Sequence, residues 1–389
     1  MATNKINPQA LAILILVAAL MAVSAALVMG RVGENQNGLN QQVEQQVQGK
    51  VHRWKLVTTW PKGFPGLGVG PENFAKWVAA MSDGRLLIEV YGAGEIVPPF
   101  EVFDAVSQNT AQVGHGASYY WKGKVPSSVF FTSMPFGLTA QEINAWFYHG
   151  GGLDLWRKAY APFSLVPFPG GNTGMQMAGW YNREINTVSD LKGLKMRIPG
   201  LAGEVFTRAG GTAVTLPGGE LFTSMQTGVI DAVEWVGPYN DTALGFHKVA
   251  KYLYYPGWQE PGAALEFIVN KEAWDALPED LQQIVDMATR VVNQDMLAEY
   301  TAANNRALQD LIHKHNVQLR EMPDDVLIEL HKVTEQIIEE QSAADPLFAE
   351  VYESYIQFRS GVRGYHKISE QAIMAARDRV EAAAQQRRQ

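Results

Sequence analysis

Residues 219–235 read GELFTSMQTGVIDAVEW. The first half predicts a short helix with Leu221, Phe222 and Met225 turned inward and Gly228 as its stop. The second half predicts a buried strand, because Val229, Ile230, Ala232, Val233 and Trp235 suit a sheet interior. A helix that hands the chain straight to a buried strand is half of a βαβ unit. One residue breaks the pattern. Glu234 is a carboxylate among apolar neighbours, and it is costly to bury unless it is paired or holds a cation.

The same alternation runs outward on both sides. VHRWKLVTTW (51–60), LLIEVYG (86–92) and AQVGHGAS (111–118) read as strands. GPENFAKWVAAMSDG (70–84) and PPFEVFDAVSQNT (98–110) read as helices between them. TGMQMAGWYN (173–182), LKMRIPG (194–200), AALEFIVN (263–270) and NVQLREM (316–322) add strands, and TVSDLKG (187–193) a turn or helix start. Pro278 opens a long helix reaching about His313. From Pro323 onward the chain reads as helical, with breaks near Asp345-Pro346 and Ser360-Gly361 and a charged tail. The class is α/β, with βαβ units on a mostly parallel sheet. The 389 residues suffice for two cores, and 47% hydrophobic content marks a globular chain.

Composition removes several functions. A net charge of −8 argues against nucleic acid as a partner. With no cysteine, disulfides, thiolate metal sites and thiol catalysis are excluded. Leu11 to Gly30 carries no charge and follows Lys5. It reads either as a secretory signal, with Val23-Ser24-Ala25 as a small-residue cleavage site, or as an uncleaved anchor, since about 20 apolar residues span a bilayer. Both export everything downstream, and the removed signal is the preferred reading. Residues 31–50, rich in Gln and Asn, read as a flexible tether.

Open α/β sheets bind ligands outside the carboxyl ends of their strands. Four unusual residues fall near such ends: Glu234, Arg197, Gln176 in GMQMAG and Glu260 between two prolines. Two carboxylates converging in a dry cleft repel each other. Arg197 could pair with one of them, or grip a ligand carboxylate through its planar fork. In the second case a hard cation, Na⁺ or Ca²⁺, would relieve the excess negative charge through oxygen ligands alone. Each residue also has a plain structural reading: a sheet-edge ion pair for Arg197, a solvent-facing strand end for Glu234, ordinary polar positions for Gln176 and Glu260. Tyr119-Tyr120-Trp121 could wall a pocket or simply pack, and His115 reads as a satisfied loop histidine. No P-loop, GxSxG or HExxH is present, and GAGEIV and GHGAS are not dinucleotide fingerprints.

SDLKGLKMRIPG (189–200) followed by LPGGELFTSMQTGVIDAVEW (216–235) resembles the signature of substrate-binding proteins of tripartite ATP-independent periplasmic (TRAP) transporters. GNTGMQMAGWYNREI (171–185), YPGWQEPGAALEFIVN (255–270) and YESYIQFRSGVRGYHKISEQA (352–372) are similar to the subgroup that binds 2-oxo or 2-hydroxy acids, such as pyruvate or lactate, with a metal ion. The resemblance implies that Arg197 clamps the ligand carboxylate and that Tyr120 hydrogen-bonds the ligand. It implies that Gln176, Glu234, the Trp235 carbonyl and Glu260 hold the metal. The implied fold is periplasmic-binding-protein-like, with two α/β domains of mixed sheets joined by crossing strands and a long connecting helix, and a helical C-terminal region. The domains would be 51–174 with 262–300, and 175–261 with 301–360, followed by a C-terminal helix and tail, 361–389. The implied partners are a small organic acid anion, TRAP membrane subunits and a second copy of the chain through the C-terminal helices. The rival readings are a membrane-tethered carboxylate sensor and an enzyme acting on small carboxylates.

Overall fold

The computed structural model describes residues 50–388. The apolar segment 11–30 and nearly all of the 31–50 tether lie outside them. Two sheets carry the architecture. The first has the order β2-β1-β3-β10-β4, and the second β11-β9-β5-β8-β6-β7. In the first, β1 (His52–Thr58), β2 (Leu86–Tyr91) and β3 (Val113–Gly116) are linked by the helices Val69–Met81 and Val102–Ser107. In the second, β6 (Lys195–Arg197), β7 (Thr212–Val214) and β8 (Ala232–Val233) are linked by the helices Gly200–Arg208 and Leu221–Gln226. Both trios share one order: the first strand in the middle and the second and third on either side. The quoted stretch is the second half of the later trio, and only Ala232–Val233 of it forms strand.

The remaining strands interlock the sheets. β4 (Leu165–Asn172) edges the first sheet, and the chain then crosses to β5 (Gly179–Tyr181) in the second. β9 (Tyr252–Tyr255) and β11 (Gln318–Glu321) pair in parallel in the second sheet. After β9 the chain crosses back to β10 (Ala264–Asn270). β10 runs antiparallel to β3 and β4, and β5 antiparallel to β8 and β9. The crossing segments bond to each other: Thr173 N–H to the Ala263 carbonyl at 3.0 Å, Gln176 N–H to Glu260 at 3.2 Å and Gly257 N–H to Gln176 at 3.1 Å. The Glu279–His313 helix, about 52 Å long at 1.5 Å per residue, packs on β4 of the first lobe and on the Pro238–Leu244 helix of the second.

β4 has no counterpart in the sequence reading. Pro167 and Pro169 argue against a strand interior, but β4 pairs on one side only, opposite Ile268 and Glu266. An edge strand tolerates the missing donors. The C-terminal helices also differ from expectation. Asp324–Ala344 packs on Gly200–Arg208 of the second lobe. Pro346–Ile368 instead lies against the helices Ala140–His149 and Gly152–Tyr160 of the first lobe. Residues 346–360, expected with the second domain, therefore sit on the first. There is no break at Ser360-Gly361, where the Ser360 hydroxyl bonds the Ile356 carbonyl at 2.8 Å within the helix. The joint falls at Ser369, before the Glu370–Gln386 helix.

Pro346–Ile368 is fastened by aromatic packing, with Phe348 4.8 Å and Tyr355 5.6 Å from Phe130. The buried Tyr355 hydroxyl accepts the Leu138 N–H at 2.6 Å. Tyr355→Phe strands that amide, so the stability should fall by about 1–2 kcal/mol. The check is a lower urea midpoint at unchanged m-value; an unchanged midpoint would remove this docking contact.

Candidate functional site

Four strands point their carboxyl ends at one cleft between the lobes: β1 toward Trp60, β3 toward Tyr119 and Tyr120, β6 with Arg197, and β8 with Glu234 just beyond its end. This is the place where the strand order diverges in each sheet, the usual ligand position in open α/β folds. The crossing segments add Gln176 and Glu260. Arg197, Gln176, Glu260, Tyr119, Tyr120 and Trp235 thus line one cleft, with Glu234 bonded to Arg197 beside them.

Arg197 organises the cleft. It is 1% exposed and Glu234 is 0% exposed. The Arg197 Nη1 donates to the Glu234 carbonyl at 2.7 Å and to its Oε2 at 2.9 Å. Nε donates to the Leu216 carbonyl at 3.2 Å, and Nη2 to the Tyr120 hydroxyl at 3.2 Å. The Trp235 ring stacks on the guanidinium at 5.0 Å. A guanidinium has five N–H groups, so one Nη2 hydrogen has no acceptor among the described residues. Sheet register sets this up, because the Glu234 N–H donates to the Arg197 carbonyl at 3.0 Å and so holds both side chains at one level.

Across from the arginine the shortage is of donors. Glu234 Oε1, Glu260 Oε2 and Gln176 Oε1 are buried without hydrogen-bond partners. The Gln176 amide nitrogen is used, donating to Thr173 Oγ1 at 3.0 Å, which leaves its oxygen as the only acceptor on offer. Burial pushes both carboxyl groups up. For Glu234 the neighbouring Glu260 charge adds to this and Arg197 opposes it, while for Glu260 Arg197 is the chief opposing influence. Two negative charges do not coexist there without a proton or a cation. Three oxygen donors and no sulfur or imidazole fit a hard cation.

Sequence reasoning missed Trp60 and Leu67 in the wall. Trp60 follows the end of β1, the signal that could have found it. Its Nε1 donates to His115 Nδ1 at 3.0 Å, and His115 Nε2 bonds the Gly170 carbonyl at 3.0 Å. His115 is therefore a satisfied histidine, as expected, but in β3 rather than a loop. Of the aromatic trio, Trp121 turns away into the core, where its indole donates to the buried Glu266.

Asp241 braces the segment after Trp235. Its Oδ1 accepts from Gly237 N–H at 3.0 Å and Val236 N–H at 3.4 Å, and its Oδ2 from Trp180 Nε1 at 2.8 Å. Burial nevertheless pushes its carboxyl from 3.8 to about 7. Between these values the folded state holds a proton that the unfolded chain has released. The resulting stabilisation is complete below about pH 4 and is lost as pH rises through 7. Asp241→Asn should make the fall in thermal midpoint from pH 5 to pH 8 shallower; equal slopes would show that Asp241 ionises alike in both states.

The family model described as bacterial extracellular solute-binding protein, family 7, matches residues 56–345. The monocarboxylate 2-oxoacid-binding periplasmic protein of a Nostoc species is 46% identical over 318 residues, 82% of this chain and 87% of that protein. The TRAP periplasmic solute binding protein of Pseudoalteromonas atlantica, solved with bound sodium and pyruvate, is 44% identical with a TM-score of 0.82, over 84% of this chain and 99% of that one. The TRAP transporter solute binding protein of Bordetella bronchiseptica is a mixed-occupancy dimer, with calcium and picolinate in one active site and the other site apo. It is 36% identical with a TM-score of 0.84, over 86% of this chain and 100% of that one.

Proposed function

The chain belongs to family 7 of the bacterial extracellular solute-binding proteins, and from that premise we propose that it is a periplasmic receptor for a short 2-oxo or 2-hydroxy monocarboxylate, bound with a calcium or sodium ion. It passes its ligand to TRAP membrane subunits and catalyses no bond change. The supporting observation is the pairing of one buried arginine, with an N–H to spare, and three buried oxygens without donors. The ligand carboxylate takes Arg197 and Tyr120. The cation takes Gln176, Glu234, the Trp235 carbonyl and Glu260, and supplies the positive charge that the acidic side of the cleft lacks.

The relatives' ligands fit the same logic. Pyruvate carries a carbonyl oxygen, and picolinate a ring nitrogen, on the carbon next to the carboxylate. Either can close a five-membered chelate on a cation. A divalent ion brings two carboxylates, one arginine and a ligand anion to neutrality, whereas a monovalent ion leaves one net negative charge. We further propose that residues 11–30 direct export and that the chain forms a homodimer. The Glu370–Gln386 helix buries no residue and exposes Ile373, Met374 and Val380, an apolar row suited to a second copy.

A thermal-shift series on the purified chain tests the reading. Pyruvate with Ca²⁺ or Na⁺ should raise the midpoint, by an amount equivalent to about 2.7 kcal/mol at a hundred times Kd. Chelator or sodium-free buffer should abolish the rise. Arg197→Lys, which loses the planar fork, should weaken pyruvate at least about tenfold. Glu260→Gln should weaken the cation requirement first. A rise with sugars or dicarboxylates alone, indifferent to either ion, would refute the metal-bridged site. Light scattering at the mass of one chain would refute the dimer.

A further inference from the structure

The turn that carries Tyr119 and Tyr120 into the cleft ends at Lys122. Lys122 belongs to the first lobe, yet its Nζ donates to the carbonyl of Gly200 in the second, at 2.8 Å. Gly200 opens the Gly200–Arg208 helix, directly after Arg197-Ile198-Pro199. Its φ is +68°, and a Cβ there would sit 3.2 Å from the Tyr119 ring. Only glycine lets the phenol approach so closely without strain. Two contacts therefore join the same pair of segments outside the Arg197–Tyr120 bond: an ammonium on a carbonyl, and a ring on a bare backbone.

Neither contact is explained by the stability of one lobe. An ammonium near a helix amino end is unfavourable to that helix. Lys122 has no ion-pair partner among the described residues, and burial lowers its pKa. Glu204, whose field favours the lysine charge, is itself paired with Arg208 at 2.7 Å. Lys122 also does not line the ligand cavity. It lines a separate groove at the outer edge of the cleft with Pro126, Val129, Leu201, Glu204 and Asp345. What the bond spans is the gap between the lobes.

We propose that Lys122 and Gly200 form a latch that holds the lobes closed and sets how slowly the ligand leaves. They are positioning residues that do not touch the ligand. The inference rests on the reading of the cleft as a binding cleft that opens and closes.

The absence of cysteine allows a clean test. Gln108→Cys in the first lobe and Gln226→Cys in the second, both exposed, take spin labels, and pulsed EPR reads the distance between the lobes. The pair is compared in chains with native Lys122, with Lys122→Met, with Lys122→Arg and with Gly200→Ala. Each is measured without ligand and with pyruvate plus Ca²⁺. Met at 122 and Ala at 200 should lengthen the ligand-free distance. Met at 122 should speed pyruvate release, followed by stopped-flow tryptophan fluorescence, by about tenfold, the effect of losing one hydrogen bond to a charged group; Ala at 200 keeps the carbonyl and should speed release by pushing its Cβ against the Tyr119 ring. Arg at 122 keeps a donor and should restore most of the native behaviour. Superimposable distances and equal release rates for Lys122→Met and the native chain would overturn the latch. The two substitutions act on opposite partners, so misfolding of one leaves the other to decide. If the native chain binds no pyruvate with either ion, the proposed ligand falls, and the ligand-free distances still decide the latch.

Discussion

The cleft depends on a guanidinium that has been taken out of water. Removing Arg197 from solvent is costly unless its N–H groups find acceptors. Both lobes supply them: Glu234 and Leu216 from the second, Tyr120 from the first. The residue therefore links the two halves electrostatically. Among the described residues it is also the only cation paired with Glu234. Its reach explains why Glu234 can be buried at all. One oxygen is held by the arginine, and the other is buried without a partner, as are Glu260 Oε2 and Gln176 Oε1.

Gln176 and Glu260 sit on two of the segments by which the chain changes lobes, and these two are bonded to each other. Movement of one lobe on the other must pass through those backbones. A cation gripped by both crossing segments and by Glu234 of the second lobe would tie ligand capture to the position of the hinge. Binding energy is then available to shift the population from open to closed forms. The opposite side is joined by a buried polar set, in which Asn240 donates to the Pro65 carbonyl at 2.9 Å and Tyr300 to Asn240 at 2.7 Å.

Much of this was legible in the sequence, for definite reasons. Arg197 and Glu234 are charged residues at the ends of apolar strands, so local patterning alone marks them. Gln176 and Glu260 lie in irregular crossing segments with no period to break; their glycine and proline settings near strand ends marked them, and only the family resemblance gave them roles. Trp60 shares the strand-end position of the other site residues, but as an uncharged aromatic it broke no apolar pattern and was passed over. Tyr120 and Trp121 are adjacent and chemically similar, and tertiary packing alone sends one to the arginine and the other to Glu266. β4 was obscured by its prolines, whose tolerance depends on an edge position that one strand cannot reveal. The lobe assignment of 346–360 depended on which aromatic surface the helix meets, a long-range contact with no local signature.

The interlocked strand order also governs when the molecule can be built. In the first sheet β10 lies between β3 and β4, yet it is made only after the whole central part of the second sheet. The first sheet therefore cannot close until residue 270 is available, however early its other strands emerge. A chain that crosses a membrane amino end first carries its leading half through with that sheet incomplete. The same order that carries the chain twice between the lobes thus makes the first sheet wait for a strand laid down beyond the middle of the chain.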